Sequence, residues 1–213
     1  MDPQPLPKLC PKIILEGTRL THKTDIAFRL NEHPRIVGPR RYRYHSPIIS
    51  AEWCGFTNRP WGRGLINFRA EEADRAMETY RTWTRLFELL KYYSWIVDRF
   101  HISTRVYQYA RGRDYDFSWL EERLLPLGFG IILCTRVDET FAAARRERLK
   151  TSAKPEQYDD LDRFLTEQKD FRRIVAASRL PHTEVDVSDG HIDRICEAIA
   201  DWLEEKELLG FPR

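Results

Sequence analysis

Short runs of consecutive apolar residues alternate along this chain with stretches in which apolar residues return every three or four positions. The first kind reads as strands buried on both faces and the second as helices covering them. Lys12-Ile13-Ile14-Leu15-Glu16-Gly17 predicts a buried strand ending on glycine, followed by a short helix from Lys23 with Ile26, Ala27 and Leu30 on one face. Arg35-Ile36-Val37-Gly38-Pro39 reads as a second strand stopped by proline. A long helix carries Ala73, Met77, Tyr80, Trp83, Phe87 and Leu90, and Ser94-Trp95-Ile96-Val97-Asp98 and Gly130-Ile131-Ile132-Leu133-Cys134-Thr135 supply two more strands. A helix runs from Asp138 to about Leu149, and Pro155 opens another with Tyr158, Leu161, Leu165 and Phe171 on its buried side. Thr183-Glu184-Val185-Asp186-Val187 is the last strand. Ile192, Ile195, Cys196, Ile199, Trp202 and Leu203 stripe the last helix. The expected fold is α/β, three layers with a mostly parallel sheet flanked by helices. Ligands in such sheets bind at the carboxyl ends of the strands, where Gly17, Asp98, Arg136 and Asp138 fall.

The expected organisation is one domain, residues 12–213, behind a flexible, proline-rich leader at 1–11. Residues 40–69 form an irregular stretch rich in basic and aromatic residues, including Tyr42, Tyr44, Trp53, Phe56, Trp61 and Phe68. A loop of that length in a compact domain points to function, and its aromatic content argues against disorder. The formal net charge of +2 gives no case for generic nucleic-acid binding. Local clusters at Arg40-Arg41-Tyr42-Arg43 and Arg145-Arg146-Glu147-Arg148 suit a single phosphate-bearing ligand better than a long polyanion. The four cysteines, Cys10, Cys54, Cys134 and Cys196, are widely spaced and read as free thiols. The six histidines show no zinc-ligand spacing with them. No stretch approaches the ~20 apolar residues of a membrane span, and no secretory signal is present, so a cytoplasmic protein is expected.

Gly17-Thr18-Arg19-Leu20-Thr21-His22-Lys23-Thr24 stands between the first strand and the first helix. It matches the phosphate-loop pattern G-x-x-x-x-G-K-[ST] except for His22 at the second glycine. Loop and helix N–H groups would cradle phosphate oxygens, Lys23 would add charge, and the Thr24 hydroxyl would hold Mg²⁺. Histidine at that position implies a left-handed, glycine-like backbone with the ring turned away from the phosphates. A chance Lys-Thr opening an ordinary helix is the bland alternative. Asp98-Arg99-Phe100 would set a carboxylate and a guanidinium toward the phosphates, where the first can organise metal or accept a proton and the second can clamp phosphate. Taken singly, Asp98-Arg99 reads better as a surface ion pair ending the strand, and the arginines at 145, 146 and 148 equally well as a solvated helix face.

Together these pieces resemble the thymidylate kinase and deoxynucleoside kinase group of P-loop kinases, across roughly residues 12–38 and 94–203. Ile14-Leu15-Glu16-Gly17 leading to Lys23-Thr24, Val97-Asp98-Arg99-Phe100, the arginine-bearing Arg145-Arg146-Glu147-Arg148 and the closing Thr183-Glu184-Val185-Asp186 carry the resemblance. It implies ATP and Mg²⁺ as cofactors and phosphoryl transfer to a nucleoside, a nucleoside monophosphate or a modified relative. Residues 17–24 would bind the donor and Thr24 and Asp98 the metal. Arg99 would hold acceptor-side phosphate, and Arg145 and Arg148, in a lid at 138–155, would bridge donor and acceptor. Residues 39–69 would be an acceptor-side insertion, with Trp61 and Phe68 stacking on a base; Trp83 fits the core better. Arg19 stands where that family carries aspartate, and its Phe-x-Arg-x-Pro acceptor segment is absent. Two rivals therefore remain: a degenerate loop that binds nucleotide or a partner without catalysis, and a phosphotransferase for a non-nucleotide small molecule. A metal-independent interaction module is a third. A homodimer is open, since the sequence fixes no oligomeric state.

Overall fold

The computed structural model describes residues 9–38, 47–52 and 64–211. In chain order they form β1 (Lys12–Glu16), α1 (Lys23–Leu30), α2 (Pro34–Val37), β2 (Ile48–Ser50), α3 (Ala73–Leu89), β3 (Trp95–Asp98), α4 (His101–Tyr109), α5 (Ser118–Leu124), β4 (Phe129–Thr135), α6 (Phe141–Leu149), α7 (Leu161–Ala176), β5 (His182–Asp186) and α8 (Ile192–Glu205). The five strands make one sheet in the order β2-β3-β1-β4-β5, and every pairing is parallel. β1 is central, with Leu15 registered against Asp98 on one side and Ile132 on the other.

The period-two alternation of the strands divides the core. Ile14, Val97, Ile131 and Leu133 face a cluster with Phe87 of α3, Phe171 of α7, and Phe100 and Phe117, the residues that precede α4 and α5. Ile13, Leu15, Ile96, Ile132 and Cys134 face a second cluster with Ile26, Leu30, Ile195 and Ile199 from α1 and α8. Both faces of the central strands are thus dry, so β1, β3 and β4 read as unbroken apolar runs. Among the described cysteines, Cys10, Cys134 and Cys196 are free and buried. Cys10, in the stretch expected to be a leader, donates its amide to the Leu209 carbonyl at 2.8 Å.

The second strand lies elsewhere than expected. Residues 34–37 form a helical turn, and the strand beside β3 is Ile48–Ser50, inside the stretch expected to be irregular. Ile36 and Val37 have strand propensity, but Pro34 at the first helical position is pre-set for a helix and cannot donate to a ladder. His33, preceding it, is extended as a residue before proline must be, and Gly38 ends the turn at φ 68°. Ile36 is then buried in the α1–α8 cluster. α4 and α5, which the apolar pattern did not flag, sit between β3 and β4. The helix expected from Asp138 starts as a 3-10 turn, Asp138–Thr140, before α6; that from Pro155 is a 3-10 turn, Pro155–Tyr158, separated from α7 by the Asp160 cap.

Candidate functional site

The carboxyl ends of β1, β2, β3 and β4 converge on residues 17–24. Gly17 leaves β1 at φ 140°, and a Cβ there would stand 2.3 Å from the Cys134 carbonyl oxygen of β4. The strand-to-loop turn therefore depends on glycine twice, through its dihedral and through the close approach. We expect Gly17→Ala to destabilise the domain by about 2 kcal/mol or more and to abolish nucleotide binding, measured by denaturant titration with and without Mg-ATP.

Leu20 (φ 66°) and His22 (φ 52°) are both left-handed, so His22 takes the glycine-like conformation expected of it and caps α1. Thr21 Oγ1 donates to the Thr18 carbonyl at 2.9 Å. Lys23 lies buried beneath the loop, its Nζ donating to Thr18 O at 2.5 Å and Thr21 Oγ1 at 2.9 Å. Burial, with the Arg99 charge beside it, pushes the Lys23 ammonium down to about 8 against the pull of Asp98 and Glu52. Three further ties hold the loop. Thr18 Oγ1 donates to Glu167 of α7 at 2.6 Å, Arg136 Nε to the Leu20 carbonyl at 3.0 Å, and Arg99 Nη1 to the Gly17 carbonyl at 2.8 Å. Thr18 thus turns its hydroxyl toward α7, and the Leu20 side chain packs against the cluster of Phe141, Tyr158 and Phe164.

Thr24 Oγ1 donates to Asp98 Oδ2 at 2.8 Å. The other carboxylate oxygen, Oδ1, is buried and has no hydrogen-bond partner among the described residues. A buried, bare carboxylate oxygen next to a hydroxyl at the head of a phosphate loop fits Mg²⁺, which takes one or two protein oxygens and completes its shell with water and phosphate. No group of three or more His, Cys, Asp or Glu side chains poised for a metal occurs among the described residues. A nucleotide-borne cation needs none.

Arg99 follows at φ 63°, a strained left-handed position for a long side chain, and it is 3% exposed. Its Nε pairs with Glu52 at 2.8 Å, and Arg19 Nη2 reaches the same carboxylate at 3.1 Å. Burial alone would push the Glu52 carboxyl up. Arg99, Arg19 and Lys23 outweigh it and hold the group below the ordinary carboxylate range. Glu52, two residues past β2, is the residue that sequence reasoning missed. Glu16 was seen only as the strand's last residue. Its buried carboxylate accepts from the Phe100 amide at 2.9 Å and from the Ser103 hydroxyl, fixing the first turn of α4 and hence Arg99.

The remaining candidates divide. Trp61 and the cluster at residues 40–43 lie outside the described residues. Phe68 is fully buried in the core and meets Tyr115 edge to face at 5.1 Å, so it is not placed to stack on a base; a large apolar ring beside α4 gains more from full burial. Trp83 packs against the same core, stacked on Phe100. Arg145 and Arg148 share the face of α6 that meets the 155–158 turn. Arg145 Nε donates to the Tyr158 carbonyl at 2.8 Å and Nη2 to Asp159 at 2.7 Å, while Arg148 Nε reaches the Tyr158 hydroxyl at 3.0 Å. Arg146 is exposed on the other side.

No family model and no curated protein matches the sequence. Solved structures do. The chain is similar to the YorR protein of Bacillus subtilis in complex with phosphorylated GDP, at 16% identity over 92% of this chain and 97% of that one, with a TM-score of 0.60. Thymidylate kinase from Candida albicans matches at 15% identity over 96% of each chain, TM-score 0.55. Deoxyadenosine kinase from M. mycoides with bound dATP matches at 13% identity over 91% of this chain and 99% of that one, TM-score 0.54. The architecture is that of the P-loop nucleoside and nucleotide kinases: a five-stranded parallel sheet between helical layers. No described helix is long and apolar enough to cross a membrane.

Proposed function

We propose that this protein transfers the γ-phosphoryl group of ATP to a hydroxyl of a nucleoside or a modified relative. The observation that carries this reading is the meeting of Lys23, the Thr24–Asp98 pair and the Arg19–Glu52–Arg99 cluster at one end of the sheet. Phosphoryl transfer asks a protein chiefly for positioning and charge neutralisation. The amides of the 17–24 loop and Lys23 would hold the donor phosphates. Thr24 and Asp98 would hold Mg²⁺, which when bound offsets charge on those phosphates. Glu52 would accept the proton of the acceptor hydroxyl, with Arg99 and Arg19 fixing its carboxylate. A monophosphate acceptor is already largely deprotonated at neutral pH and needs no such base, so a carboxylate at this position favours a hydroxyl acceptor.

A second reading, nucleotide binding without transfer, draws on one observation: Lys23 already satisfies itself on Thr18 and Thr21. One pair of measurements separates the two. Mg-ATP in excess should raise the melting temperature, because it binds only the folded state, and Lys23→Ala should abolish that rise while barely moving the unliganded melt. Labelled ATP should then pass its γ-phosphoryl to a member of a nucleoside panel. A thermal shift with no acceptor phosphorylated selects the binder, and no shift at all removes both.

A further inference from the structure

The acceptor-side groups Glu52, Asp98 and Arg99 all stand at the ends of β2 and β3, on one side of β1. A triphosphate laid over the 17–24 loop with its γ-phosphoryl toward them must send its nucleoside the other way, over the ends of β4 and β5. On that side, Arg136 joins the phosphate loop to the β5–α8 connection, donating to Leu20 O at 3.0 Å and to Ser188 O at 3.1 Å. The same connection carries Gly190, from which an open cleft of about 640 Å³ runs along the start of α8, lined by Arg29, His191, Asp193 and Arg194.

His22 stands at the entrance to this side. Its left-handed backbone keeps the ring off the phosphate nest, and the ring projects toward Gly190: Nε2 lies 4.0 Å from the place a Cβ would take there. Nδ1 is 3.2 Å from Asp25 Oδ2. A carboxylate only accepts, so Nδ1 carries a proton, and Nε2, on the far side of the ring, is left to face a hydroxyl, which can both donate and accept. We infer that His22 reads a sugar hydroxyl of the donor nucleotide through Nε2, making this chain selective for ribonucleotide over deoxyribonucleotide donors. Asp25 acts as the positioning residue that fixes the ring's orientation. The glycine of an unmodified phosphate loop has no group with which to make this contact, whereas His22 adds it without disturbing the loop's conformation.

The inference rests on the proposed donor site, and its test keeps the two apart. Mg-ATP, Mg-2′-deoxy-ATP and Mg-3′-deoxy-ATP are titrated calorimetrically against the unmodified protein, His22→Gly and Asp25→Ala, with melting temperatures confirming folding. The unmodified protein should prefer ATP to one deoxy donor by about fivefold, the worth of one neutral hydrogen bond. His22→Gly should bring that ratio to about one, and Asp25→Ala should lower it part of the way. Equal binding of all three donors by the unmodified protein, or an unchanged ratio in His22→Gly, overturns the inference while leaving the donor site standing. Failure of every donor to bind overturns the kinase reading and this inference with it.

Discussion

If the protein transfers phosphoryl as proposed, Glu52→Gln should lower turnover by about a hundredfold or more while leaving Mg-ATP affinity almost unchanged. Glutamine keeps the shape of the side chain and one acceptor oxygen for Arg99, so the loop tied to Arg99 through the Gly17 carbonyl should survive. What it removes is the capacity to take a proton from the acceptor. In the proposed arrangement the 17–24 loop, and not Glu52, holds the donor, so its binding provides the control. The pH profile adds a second readout. Glu52 has its carboxyl held below the ordinary range, net of a burial that opposes this, by Arg99, Arg19 and Lys23. It is therefore ionised and competent at neutral pH, and activity is lost only as pH falls through that depressed value, below the ordinary carboxylate range. The acid limb of kcat/KM should lie there and should vanish in Glu52→Gln. A base this weak suffices because a loose phosphoryl-transfer transition state releases the hydroxyl proton late. If Glu52→Gln lost Mg-ATP binding and turnover in equal measure, Glu52 would be a tie for Arg99 and nothing more.

The difference between what could and could not be read from the chain follows from the range of the interactions. β1 and its loop are local: an apolar run, a glycine that leaves no room for a Cβ, then Lys23 and Thr24 on the first turn of a helix. The left-handed backbone at His22 follows from the same local pattern. β2 is three residues long and sits at the sheet edge, too short for any alternation to show, while Ile36 and Val37 offered a stronger but misleading signal. α4 was legible in principle, through Ile102 and Val106 one turn apart, both buried. Glu52 was not. A single carboxylate in a loop acquires meaning only when β2 and β3 pair, bringing it to a guanidinium 47 positions further along. The Thr18–Glu167 bond, spanning 149 positions, is of the same kind. Phe68 shows the converse failure: an aromatic in a basic, irregular stretch suggests a ligand, yet long-range packing gives it a place in the core.

On α6, Arg145 and Arg148, three positions apart, share a face, but the structure gives the two different surroundings. Arg145 is spent on the Tyr158 carbonyl and Asp159, contacts that fix α6 to the turn before α7. Arg148 rests on the Tyr158 ring and hydroxyl, and its charge is felt by Asp25, in the first turn after the phosphate loop. Of the two, Arg148 is the one whose charge reaches the first turn of α1, and we expect it to be the one that stabilises charge developing on the transferring group. Interactions made fully only in the transition state lower the barrier without tightening ground-state binding. Arg148→Ala should therefore cut single-turnover transfer from labelled ATP by about a hundredfold, or ~3 kcal/mol, with the dissociation constant for Mg-ATP nearly constant. Arg148→Lys should recover little, because a point charge lacks the planar pair of donors that meets two phosphate oxygens at once. Arg145→Ala should act through the lid's order instead, lowering the melting temperature together with turnover, and Arg146→Ala should change neither. Equal, small losses for all three alanine variants would make this helix an ordinary solvated surface and leave transfer, if observed, to Lys23, the metal and Arg99.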